Sequence, residues 1–81
     1  MAVSLTKSPA AVTESYLEGL RDGRALLRAW QAEGATDLAG LARASLDTLN
    51  RTCPRFEAQS PVGQYLRGER DFWRNQVKKY A

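Results

Sequence analysis

The stretch from Tyr65 to Tyr80, YLRGERDFWRNQVKKY, places four aromatic rings and five cations within sixteen residues. Rings beside arginines can stack on bases while the cations hold phosphates, the chemistry of a groove for single-stranded nucleic acid. The same residue types are enriched where one protein buries its surface against another. A helical projection, advancing about 100° per residue, helps to separate the two. Val62, Leu66, Trp73, Val77 and Tyr80 form a narrow apolar stripe, and Tyr65 and Phe72 form an aromatic stripe to one side. Arg67, Arg70, Arg74 and Lys78 fall on the other side as a basic stripe. Rings and cations that interleave in sequence are therefore segregated in space, which disfavours stacking.

Glu69 projects between the two ring-bearing stripes, with Gln76 on the same line. A carboxylate in that position needs a partner if it is buried. Either it sits at the wet margin of a broad core face, bonded to an arginine or a tyrosine hydroxyl, or it faces outward with Tyr65 and Phe72. The outward arrangement makes Tyr65, Glu69, Phe72 and Gln76 a surface for a protein partner or a second copy of the chain. The expectation is thus a small adaptor-like or inhibitor-like interaction module. The alternative is nucleic-acid binding through Arg67, Arg70, Arg74 and Lys78, whose i, i+3/i+4 alignment permits phosphate contact. Such a stripe is also what an ordinary solvated helix face looks like.

Catalysis finds no residues to work with. The chain has no histidine, the usual base for a serine or cysteine nucleophile, so no enzyme is expected. Cys53 is the only thiol and precedes Pro54 near a helix end, where nothing lowers a thiol pKa. It can form no internal disulfide and no zinc site by itself, and Cys53→Ser is expected to be harmless. Asp22, Asp47 and Glu57 are scattered, and no glycine-rich phosphate loop is present. No metal or cofactor is expected. The segment DLAGLARASLDTLNR has the flavour of a helix-turn-helix, but no glycine or proline breaks Leu41 to Arg51 to make the turn.

The elements that position these residues are set by punctuation. Eighty-one residues make one small domain with a thin core. Ser8 and Pro9 are a start signal for a first helix, which runs through Val12, Tyr16, Leu20, Leu27 and Trp30 to a stop at Gly34. Gly19 and Gly23 lie on its apolar face, where a missing side chain lets another helix come close; a kink in the helix is the alternative. Thr36 or Asp37 caps a second helix with Leu38, Leu41, Ala42, Ser45 and Leu49 inward, and Pro54 bars its continuation. Phe56 is expected to plug the following loop into the core. Ser60 and Pro61 then start the third helix, although two Ser-Pro starts do not make a repeat.

The predicted fold is all-α, a three-helix bundle over 9–81 behind a short tail, 1–8, with a proline-containing loop before the third helix. Tyr16, Leu20, Leu27, Trp30, Leu38, Leu41, Leu49, Leu66, Trp73 and Val77 are its predicted core. The net charge of +3 resides in the last stretch, since the preceding 60 residues balance seven cations against seven carboxylates. MAVSLTKSPAAV lacks the pattern of a signal peptide, and no run reaches the length of a membrane span. The expectation is a soluble, cytoplasmic protein.

Overall fold

The computed structural model describes residues 13–80. They form three helices, α1 (Glu14–Ala32), α2 (Leu38–Thr52) and α3 (Pro61–Tyr80), with a 3-10 turn at Cys53–Arg55 between α2 and α3. The all-α bundle predicted from the spacing is thus what the chain adopts.

The caps explain where each helix begins. α1 starts later than the Ser8–Pro9 signal predicts: Thr13 is its cap, accepting from the Tyr16 N–H at 3.1 Å. Ser8, Pro9 and Val12 lie outside the described residues. At the other end Gly34 takes φ +84°. Its N–H reaches the Gln31 carbonyl and that of Ala35 the Trp30 carbonyl, closing a Schellman turn. Asp37 caps α2 through the Gly40 N–H at 3.0 Å. Ser60 caps α3, accepting from the Gly63 N–H at 2.9 Å while donating to the Glu57 carbonyl at 2.8 Å.

The loop after α2 departs from expectation. Phe56 is 41% exposed and plugs nothing; Cys53, 1% exposed, fills the space instead. The expectation that Cys53→Ser is harmless therefore loses its basis, because serine would bring a hydroxyl into a dry position. Arg67 also turns inward. Its guanidinium donates to the carbonyls of Gly63 at 3.0 Å, Cys53 at 3.3 Å and Phe56 at 3.4 Å. It holds the backbone where α2 has run out of helical donors.

α3 is the middle of the bundle. It packs along α1 on one side and α2 on the other, whereas α1 and α2 scarcely touch. Gly19 faces Gly68, Gly23 faces the Phe72 ring, and the Thr13 hydroxyl donates to the Gln64 side chain, so α1 and α3 run in the same direction. α2 runs the opposite way, because Arg67 meets Cys53 whereas Trp73, further along α3, lies beside Leu49 and Ser45. Leu27, Ala42, Leu49, Phe72 and Trp73 form the buried core. Leu20, Trp30, Leu38, Leu46, Leu66 and Val77 pack around it, while Tyr16 and Leu41 are half-buried. The Trp30 ring lies 5.3 Å from Trp73, and Phe72 meets Trp73 edge-on at 4.9 Å. The ends of the apolar stripe stay wet, Val62 at 50% and Tyr80 at 38% exposure.

A methyl group at Gly68 would overlap the Tyr16 carbonyl oxygen, and Gly19 Cα lies only 3.2 Å away. Gly68→Ala gains about 1 kcal/mol of helix propensity. Overpacking against backbone costs about 1–3 kcal/mol or more, because neither helix can give way locally. The expected result is net destabilisation, read as a drop in Tm of about 4–8 °C per kcal/mol lost. An alanine tolerated without loss would contradict the close crossing.

Candidate functional site

Around the Gly19–Gly68 contact the two helices treat each other alike. The Tyr16 hydroxyl of α1 donates to the Asp71 carboxylate of α3, and the Tyr65 hydroxyl of α3 donates to the Asp22 carboxylate of α1. The backbone contacts are equally reciprocal, with the Tyr16 carbonyl over Gly68 and the Tyr65 carbonyl over Gly19. Tyrosine, glycine and aspartate recur three residues apart in YLEGLRD, Tyr16–Asp22, and YLRGERD, Tyr65–Asp71, identical at five of seven positions. This repeat differs from the Ser-Pro starts considered above, and it makes sense only as two halves of one crossing.

The halves differ at two positions. Glu18 in α1 stands where α3 has Arg67, and Leu20 where α3 has Glu69. Their environments diverge accordingly. On one side Asp71 sits among cations: Arg74 donates to it at 3.4 Å and Arg70 Nε is 3.6 Å away. On the other side the charges acting on Tyr65 are those of Glu69, Asp22 and Glu18. Tyr65 holds its proton well above the ordinary 10, first through its bond to Asp22, then through burial and those carboxylates. Tyr16 is also raised, chiefly by its bond to Asp71, with Arg70 and Arg74 pulling the other way. Burial, followed by the Asp22 charge, lifts the Glu69 carboxyl above its ordinary 4.5, and the Tyr65 hydroxyl partly offsets this.

Glu69 lies in an open depression of ≈ 260 Å³ between α1 and α2, lined also by Leu26, Ser45, Thr48, Leu49 and Trp73. The depression exists because α1 and α2 do not close over α3. Of the residues expected to form an interaction surface, the structure brings Glu69 to this groove; Tyr65, half-buried, is bonded to Asp22 of α1, and Gln76 is half-buried two turns beyond Glu69. Phe72 does not join them. It is 6% exposed, packed under Gly23 and against Trp73, because glycine on α1 leaves room for the ring. The outward aromatic pair is therefore corrected to Tyr65 alone, and its hydroxyl is already bonded.

The basic stripe is also largely engaged. Arg67 is held by carbonyls, and Arg70 and Arg74 flank Asp71, leaving exposed Lys78 outside these contacts. Among the described residues no group of three metal-ligating side chains gathers, and no helix is long and apolar enough to cross a membrane. Sequence reasoning passed over Leu26, Ser45 and Thr48 as groove residues, and Glu18 and Asp22 as the α1 carboxylates acting on Tyr65. Aligning the two Tyr–Gly–Asp strings would have brought Glu18 and Asp22 forward. Comparison of the chain with protein-family models, curated proteins and solved structures finds no match.

Two outcomes follow. A folded pKa above the unfolded one means that stability from the tyrosine hydroxyls is present below pH 10 and is lost as pH rises through the raised values. The protein should therefore lose stability from about pH 10 upward more steeply than a Tyr16→Phe/Tyr65→Phe variant, measured by urea midpoints. The raised Glu69 value has the same sign, so at neutral pH its ionised carboxylate opposes folding. Glu69→Gln should raise the urea midpoint at pH 7, and the gain should shrink as pH falls through the Glu69 value towards 4.5.

Proposed function

We propose that the protein is a non-enzymatic interaction module that receives a partner protein in the groove between α1 and α2. The observation that carries this is Glu69, a half-buried carboxylate on the floor of an open depression, where its ionisation opposes folding. The matching position of the repeat, Leu20, holds a leucine packed against the core. A carboxylate that weakens the free fold is accounted for when a second molecule supplies what it lacks. Leu26, 41% exposed at the rim, adds apolar area worth about 25 cal/mol per Å² once covered. The absence of histidine and of any second thiol supports a binding role over a catalytic one.

The nucleic-acid reading is weakened by the same geometry. Phosphate-binding cations must release counterions to gain affinity. Three of the four basic-stripe residues already face carboxylates or carbonyls. A photo-crosslinking residue at Thr48, inside the groove, should yield discrete protein adducts in the source cell, whereas one at Arg43, an exposed residue outside the groove lining, should not. Adducts to nucleic acid, or equal labelling from both positions, would reverse the assignment.

A further inference from the structure

We infer that the occupant of the groove is an amphipathic helix of another protein that presents a lysine or arginine to Glu69. The inference rests on the groove being the binding surface and adds the chemistry of what fills it.

Shape comes first. α1 and α2 flank α3 without touching much, so that among the described residues no helix takes the position of the fourth in a four-helix bundle. The α2 wall there is Ser45 and Thr48, small side chains over which a helix can pass closely. Leu26 on the α1 rim and Leu49 beneath offer a short apolar strip, suited to the i, i+3/i+4 anchors of a helix laid in a groove.

Charge then selects among helices. The chain carries net +3, yet the charges acting on Tyr65 and Glu69 are carboxylates alone: Glu18, Asp22 and Glu69. The one charged residue lining the groove is Glu69, a negative group on a positive protein at a position that breaks the repeat, and the Asp22 carboxylate acts on it from α1. A cation placed there relieves the burial of Glu69 and the repulsion from Asp22 together, fixing orientation and excluding acidic competitors. Phosphate-bearing partners are repelled by the same field. A second copy is the competing occupant, since Arg24 and Arg28 of α1 form an exposed cationic pair with no carboxylate three or four residues away, and the oligomeric state decides between the two.

The test uses the intact protein and two fluorescent 18-residue peptides with the same leucine stripe, one with lysine and one with glutamate at every polar position. Anisotropy should show the lysine peptide binding and the glutamate peptide not. Affinity should fall about tenfold in Glu69→Gln and be lost in Glu69→Lys, with the helical signal and cooperative melting of both variants retained. A Ser45→Trp variant, which fills the groove, should block the peptide as well. Equal binding of both peptides, each blocked by Ser45→Trp, would overturn the charge assignment and leave the groove as the site. Binding of the lysine peptide unaffected by Ser45→Trp would remove the groove itself. A concentration-dependent dimer, seen by light scattering and dissolved by Glu69→Lys, would make the occupant a second copy and overturn the proposal.

Discussion

Two glycines in contact determine the rest of this structure. Gly19 of α1 and Gly68 of α3 bring two backbones so close that each presents a peptide carbonyl to the glycine opposite. At such a distance no side chain can enter to hold the helices together. The grip has moved to the flanks, where Tyr16–Asp71 and Tyr65–Asp22 span the crossing from both sides. Gly23 continues the approach one turn on and opens the space that Phe72 fills. With one face of α3 committed to α1 and another to α2, α3 becomes the shared spine. The groove is what remains where α1 and α2 fail to meet.

The outline of the fold was legible because its punctuation is local. Asp37, Gly34, Ser60 and Pro61 act within one turn of themselves, and the helices they delimit are the ones found. Depth was less legible. A helical projection places Phe72 on a shoulder, and only the glycine at position 23 of a different helix makes that shoulder interior. Phe56 and Cys53 exchanged roles for a similar reason. The 3-10 turn at Pro54 carries the thiol inward and leaves the ring outside, a geometry that composition does not specify. Arg67 looked like one cation of a stripe, but its carbonyl partners come from a loop whose path the sequence does not fix.

The candidate site was half legible. Glu69 attracted notice because it interrupts an apolar face, and the structure places it at the groove. Its acidic neighbours on α1 were hidden, since Glu18 and Asp22 look like an ordinary solvated face until the repeat superposes them on α3. The repeat also gives the site its physical logic. Where the halves agree, they build the crossing; where they differ, at Glu18 against Arg67 and Leu20 against Glu69, one side of the crossing becomes acidic. Architecture and binding chemistry are thus divided among residues of the same seven-residue unit. In so small a domain the core is thin, and Glu69 is a group whose ionisation works against it.

The dependence of the structure on the crossing is tested most directly by a double-mutant cycle of Gly19→Ala and Gly68→Ala, read from urea unfolding of the wild type, both single variants and the double. Each methyl meets the backbone of the opposing helix, and one separation of α1 from α3 relieves both overlaps. The double variant should therefore lose much less stability than the two single losses added together, a coupling of about 1 kcal/mol or more. Losses that simply add would show that the two glycines do not share one contact, and the crossing could not then be the constraint on which the groove depends.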